Sequence, residues 1–379
     1  MKKISTTLLL FCLMFSAFAQ RGREIVYAGT FSVRGSEGIY VYELKRKKGT
    51  LEHLQTVKTL ESPSFIAIHP SGKFLYSVNR GIVQDKKNSG SVSAYAIDAV
   101  TGLLTLVNHQ PSYGNGPCHI SVDQTGKLAF VSNYNEGNLV VFPLGDDGSL
   151  GAPSDSIRYS GRGPHETRQE KPHVHSATVS SDNRFLIVCD LGTDRVYSYA
   201  IDLAAKRLKP AEKPYVEVKS GSGPRHFAFH PNGLHAYLAE ELTSTVCAFS
   251  YNRATGALDI IQDEVISLPV DFSGTNTSAD IHTDPSGKFL MMSNRGHESL
   301  ALFSINIDGT IRLKEAVETH GKKPRNFLID PKNQFVFVAH QDTDNIVIFK
   351  WDAKKGKLTY SGNEVKVPSP VCLQALKLE

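Results

Sequence analysis

Beyond its first 19 residues the sequence nowhere spaces apolar residues at the 3.6-residue period of an amphipathic helix, which excludes helical bundles and helical solenoids. Long apolar runs are also missing. The stretch Thr7 to Phe15 is well short of the roughly 20 residues a membrane-spanning helix needs, so no membrane span is expected. Lysine and arginine form no cluster interleaved with aromatics, and the formal charge is only +4 over 379 residues, so no nucleic-acid partner is expected either. Cysteine is scarce, five in all, and none stands at the spacing of a zinc site. No G-x-S-x-G motif is present to place a nucleophilic serine on a strand-to-helix turn.

What is there begins with a leader. Met1-Lys-Lys3 is basic, Thr7 to Phe15 is apolar, and Ala17-Phe-Ala19 is a small-residue cleavage signature. Residues 1–19 are therefore expected to be a signal peptide, residues 20–379 the mature domain, and the compartment periplasmic or extracellular. Cys12 lies inside the apolar run, so no lipoprotein anchor is expected. Cys118, Cys189, Cys247 and Cys372 remain; an even count in an oxidising compartment permits disulfides, but their strand positions read as small buried side chains.

The mature chain is repetitive. Pro63-SFIAIHPSGKFLYSVNRG, Pro117-CHISVDQTGKLAFVSNYNEG, Pro172-HVHSATVSSDNRFLIVCDLG, Pro224-RHFAFHPNGLHAYLAEE, Ser278-ADIHTDPSGKFLMMSNRG and Pro324-RNFLIDPKNQFVFVAHQD are copies of one unit. The prolines step by 54, 55 and 52 residues, then by 100 across two units. Each copy holds two alternating runs joined by turn chemistry such as Pro231-Asn-Gly233, and two more strands follow. Four strands per period of about 50 residues is the pattern of propeller blades. The termini complete a seventh: Glu24-IVYAGTF, Gly38-IYVYEL and Thr50-LEHLQTV lack a first strand, and Pro368-SPVCLQAL is a first strand with nothing after it. The expected fold is all-β, a single seven-bladed propeller of four-stranded blades, closed by pairing of the N- and C-terminal strands.

Antiparallel pairing brings the start of a repeat's first strand beside the end of its second, so Arg225, His226 and Glu240 are expected neighbours at the mouth. Alternation points His173 and His175 to one side of the third repeat, which also carries Asp190 and Arg195. The fifth adds Asn294, Arg295 and His297, and the sixth Arg325. The insertion Tyr159 to Lys171 carries Arg162, His165 and Arg168, and either covers this mouth or is plain solvated surface. The polar loop Gly81 to Ser91 is expected to cap the mouth of the first repeat. Other readings stand beside these. Asn294 shares a repeat position with the turn residues Asn79 and Asn133, Asp190 with Arg195 reads equally as an inter-blade ion pair, and His173 with His175 has the spacing of a metal pair. No metal or other cofactor is expected.

Pro172-His-Val-His-Ser176, Asp190-Leu-Gly-Thr-Asp-Arg195, Gly223-Pro-Arg-His226, Ala239-Glu240, Ser293-Asn-Arg-Gly-His297 and Pro324-Arg-Asn-Phe327 resemble, in matching order, the seven-bladed propeller lactonases. That family includes bacterial 6-phosphogluconolactonase and the fungal carboxymuconate lactonising enzymes. The resemblance covers essentially the whole mature chain. It implies a site of one His, two Arg and one Glu, which maps to His175, Arg225, Arg295 and Glu240. The other residues gathered at the mouth, His173, His226, Asp190, Arg195, Asn294, His297, Arg168 and Arg325, are expected to contact substrate. One departure stands out: the family's sugar-phosphate lactonases work in the cytosol, whereas this chain carries an export signal.

Such a set suits hydrolysis of a lactone. Glu240 or His175 would activate water, worth about 10²–10⁴-fold for a well-placed base. Arg225 and Arg295 would hold the oxyanion or a carboxylate or phosphate through the planar guanidinium fork. Three activities compete: a hydrolase of an aldonolactone or its phosphate, which is favoured, a cycloisomerase of a dicarboxylate, and a secreted binder of glycan or protein without catalysis. The favoured enzyme acts on a small sugar lactone as a monomer.

Overall fold

The structure is a computed structural model that describes residues 22–59, 61–81 and 90–378; the expected leader and most of the expected capping loop, residues 82–89, lie outside the described residues. All the elements of the described residues are strands, grouped in seven four-stranded antiparallel sheets. The fourth repeat is representative. Pro224–Phe229, His235–Glu240, Thr245–Tyr251 and Leu258–Ile266 pair in that order, the first nearest the axis. The second strands are buried on both faces, as at Leu128–Asn133 and Phe185–Asp190, because each is packed between two neighbouring blades. Expected to alternate, these second runs are instead short and continuously apolar, as burial on both faces allows.

The ring closes as the unmatched termini require. Pro370–Lys377 pairs antiparallel with Glu24–Thr30, from Glu24↔Lys377 to Gly29↔Cys372, and Gly38–Lys45 and Thr50–Lys58 complete that sheet. Adjacent blades share one apolar cluster each. Phe185, Ile187, Cys189 and Val196 of the third blade interlock with Phe227, Leu238, Cys247 and Phe249 of the fourth. The four described cysteines are free and buried. A repeated tyrosine pins blade to blade: the hydroxyls of Tyr27, Tyr76 and Tyr237 donate to the carbonyls of Gly102, Gly148 and Gly309 at 2.9, 3.0 and 3.1 Å. Each of these glycines sits in the turn before the next blade's outer strand at φ between 75° and 84°, a conformation that glycine adopts without strain.

One irregularity recurs in every blade. The innermost strand shifts register against the second just after its first residues, so that one residue stands outside the ladder: Ser64, Cys118, His175, Arg225, Arg325 and, in the closing blade, Val371. The fifth blade does the same across Ala279 and Asp280. A bulge re-aims the side chain it carries. Here the six single residues converge on the axis and line a neck, a void of about 10 Å³, that divides the central channel.

Candidate active site

Above the neck the channel opens into a cavity of about 620 Å³, lined among others by Arg80, Arg168, His175, Glu241, Arg295 and Arg325. At its floor lies a carboxylate held by cations. Glu241 Oε2 accepts from Arg225 Nε at 2.8 Å and lies 3.2 Å from Arg295 Nη2, while Arg168 donates to its other oxygen. His175 Nε2 is 4.0 Å from the same carboxylate. Three blades and one insertion therefore meet on a single buried group. The backbone sets the pose: Glu241 N donates to Gly223 O at 2.8 Å, and Glu241 O accepts from Ser278 N at 3.1 Å, which ties it to the fourth and fifth blades. The arginines are held from behind, Arg225 by the carbonyl of Ala279 and Arg295 by that of Ser278 at 2.7 Å.

The electrostatics follow from this crowding. Burial works to raise the pKa of Glu241, but the guanidiniums of Arg295, Arg225 and Arg168 hold it far below the usual carboxylate range, so it stays ionised. Burial, with Arg225, His226 and the arginines at 325 and 295 adding to it, drives His175 well below the ordinary histidine value and keeps it neutral. Among the described residues no carboxylate lies within ion-pair distance of Arg325, and Glu241 acts on it only from further off. It lies over the Phe31 ring, 5.1 Å from the centroid, and burial together with Arg225 and Arg295 lowers its pKa. The cavity thus offers an unneutralised cation to an incoming anion.

Several sequence expectations are redistributed. Glu241, not Glu240, meets the arginines. Glu240 ends its strand paired to Pro224 and Thr245, and its side chain turns into the packing between blades rather than toward the axis. There Oε2 accepts from Thr245 Oγ1 at 2.6 Å, Oε1 is buried without a partner, and burial pushes the pKa up to about 7. The parity of the alternating run does not reach the mouth, because the residue that does is one step past the strand end. His173 and His175 both lie against the Tyr134 ring, but only His175, carried out of the ladder by the bulge, lines the cavity. His173 stacks on Tyr134 at 4.4 Å and bonds Tyr134 O and Glu170. His226 lies beneath the neck and faces a second chamber.

Asp190 and Arg195 form no pair and line no part of the cavity. Asp190 accepts from His173 N, Gly192 N and Thr193 Oγ1, and so braces a turn, while Arg195 bonds Glu217 at 2.8 Å on the outer strand. Asn294 bonds Ser267 and Ser299 in the same structural manner, and His297 Nδ1 lies 2.8 Å from Ser299 Oγ. In the insertion only Arg168 reaches the site; Arg162 and His165 are exposed. Tyr134, whose hydroxyl accepts from Arg168 at 3.4 Å and whose ring meets His175 edge-on at 5.4 Å, carried no charge to attract notice in the sequence.

The geometry has close counterparts. A family model described as "Lactonase, 7-bladed beta-propeller" matches residues 25–375. The chain is 38% identical over 355 residues to a 6-phosphogluconolactonase of Bacillus subtilis, covering 93% of this chain and 99% of that one. It is 37% identical to a 6-phosphogluconolactonase of Formosa agariphila, covering 92% and 98%. Among solved structures, the periplasmic gluconolactonase of Pseudomonas aeruginosa superposes with a TM-score of 0.87 at 30% identity, over 94% of this chain and all of that one. This chain belongs to the seven-bladed β-propeller lactonase family.

Proposed function

We propose that the protein hydrolyses a sugar lactone, an aldonolactone or its 6-phosphate, by direct attack of water in the mouth cavity with no metal-dependent step. The observation that carries this reading is the buried, ionised Glu241 clamped by three arginines with a neutral His175 beside it. His175 takes one proton from the attacking water, and the neighbouring carboxylate stabilises the imidazolium that forms. Glu241 keeps its charge under the arginines and serves that imidazolium rather than the water. Arg295, which lines the cavity, faces the oxyanion, while Arg225 beneath it holds Glu241 in place; losing one oxyanion donor costs about 2.7–4 kcal/mol in comparable sites. The ring C–O bond then breaks, and His175 returns its proton to the departing oxygen. Arg325 anchors an anionic substituent of the substrate.

A pH-stat assay on gluconolactone, its 6-phosphate and muconolactone, before and after chelator treatment, tests the reading. Chelator-resistant hydrolysis of either gluconolactone supports it, and loss of kcat by about 10²-fold or more in Glu241→Gln ties it to this cavity. Turnover of muconolactone alone would move the assignment to cycloisomerase chemistry. The same reading puts the enzyme outside the cytosol as a monomer, supported by the leader-like order of residues 1–19 and by one chain lining the whole cavity. Gln20 at the N-terminus of periplasmic protein, and a monomer mass in solution, are the expected results.

A further inference from the structure

Below the neck the channel widens again into a chamber of about 410 Å³ on the opposite face, and titratable side chains run from one end of the channel to the other. His175 and His226 both line the neck, with ring centroids 5.3 Å apart. Each has one ring nitrogen, His175 Nδ1 and His226 Nε2, buried without a protein partner. The void between, about 10 Å³, is the room one water needs. On its far side His226 Nδ1 lies 2.7 Å from Asp280 Oδ1, which fixes the proton on Nδ1 and leaves Nε2 as an acceptor. Asp280 Oδ2 lies 2.9 Å from His282 Nε2, and the His282 side chain is 44% exposed to the lower chamber.

We propose that His226, Asp280 and His282 form a proton exit from the active site to the opposite face of the propeller; this rests on the hydrolytic reading above. Hydrolysis leaves the second proton of the attacking water on the new carboxyl group, and at neutral pH that proton must go to solvent while the product still occupies the mouth. The path balances. The carboxyl proton passes to His175 Nε2, and Nδ1–H gives a proton through the water in the neck to His226 Nε2. His226 Nδ1–H hands its own to Asp280, Asp280 gives one from Oδ2 to a bare His282 Nε2, and His282 releases its Nδ1–H to solvent; turnover of the three imidazole rings then restores the starting tautomers. No redox partner or co-reactant is needed. The groups that face this path are His119, 5.7 Å from His226 ring to ring, and Arg80, Cys118, Arg225 and Arg325 at the neck. His119 Nδ1 is occupied as an acceptor from Ala177 N, so that nitrogen is not a branch of the path. Asp280 also accepts from Asn326 Nδ2 and from Phe327 N at 3.3 Å, which gives it a purely structural reading to be tested against.

The test uses the full chain with His282→Gln, the mildest change, and His226→Gln. In weak buffer each should lose kcat about tenfold or more at unchanged KM, and concentrated imidazole should restore it, whereas the parent is insensitive to buffer. A loss that imidazole does not restore, or kcat within twofold of the parent in weak buffer, overturns the exit. If the parent hydrolyses no lactone at all, the hydrolytic reading fails separately. The wire is then judged by ¹⁵N imidazole NMR, where a bare Nδ1 and protonated Nε2 on His226 overturns it and the opposite tautomer sustains it.

Discussion

Replacing Glu240 by Gln separates two adjacent glutamates by opposite signatures. The Glu240 side chain is fully buried, bonded only through Oε2 to Thr245. Burial raises its pKa from 4.5 to about 7, against the pull of the Thr245 hydrogen bond and with Asp263 and Asp194 adding to the rise. The folded state therefore binds this proton more tightly than the unfolded chain. Stability is unaffected below pH 4.5, falls as pH rises through 4.5 to 7, and is fully diminished above 7. The diminution is about 3 kcal/mol, at about 1.4 kcal/mol per tenfold change in proton affinity. An amide keeps an acceptor for Thr245 and never ionises. Urea denaturation at pH 4.5 and pH 8.5 should thus give near-equal midpoints for parent and variant at the lower pH, and a variant more stable by about 2–3 kcal/mol at the higher one. Lactone turnover should stay within a few-fold. A variant as pH-sensitive as the parent would refute the burial argument, and a hundredfold loss of turnover would return Glu240 to the site.

Three further outcomes follow from the same geometry. Arg225→Lys keeps the charge but cannot serve both Glu241 and the Ala279 carbonyl as the guanidinium does, so kcat/KM should drop about tenfold or more, with a lower Tm as the buried pairing loosens. Deleting Pro370 to Glu379 removes the strand that pairs with Glu24–Thr30 and exposes the Cys372 and Leu373 packing, so the protein should lose solubility or its cooperative melt; a truncation that melts like the parent would reject closure. Tyr237→Phe removes one inter-blade hydrogen bond to Gly309 and should cost about 1 kcal/mol in chemical denaturation without changing kcat.

The blades were legible in the sequence because their causes are local. Turns such as Pro231-Asn-Gly233 and short apolar runs repeat at a fixed period, and the termini carry complementary remnants of the same pattern. The site was legible only as a set of repeats that concentrate charge. Alternation identifies the face of a strand, and Glu240 obeys it: it follows Ala236 and Leu238 on the face that packs on the third blade. Glu241 lies one residue past the strand, where backbone bonds to Gly223 and Ser278, set by two different blades, decide its direction. His226 was displaced for a related reason. The bulge at Arg225 turns it down the channel, and no composition or period announces a bulge.

That bulge explains how one repeat supports both packing and chemistry. A ladder residue on an inner strand must fit its neighbours in the sheet and the adjoining blade, which restricts it to what the inter-blade cluster accepts. A residue outside the ladder turns to the axis, where it meets its counterparts and the inner strand beside it. At the equivalent position the blades carry Ser64, Cys118, His175, Arg225, Arg325 and Val371, side chains with no common size or polarity, while the strands that flank them keep one apolar pattern. Variation at this position therefore costs the fold little. Ionisable side chains gather where the bulged residues of the third, fourth and sixth blades, His175, Arg225 and Arg325, adjoin Glu241 and Arg295 at the ends of the second strands of the fourth and fifth. Exchanging Ser64 or Val371 for another small residue should leave turnover nearly intact, whereas the same exchange at His175 or Arg225 should abolish it with much the same fold remaining.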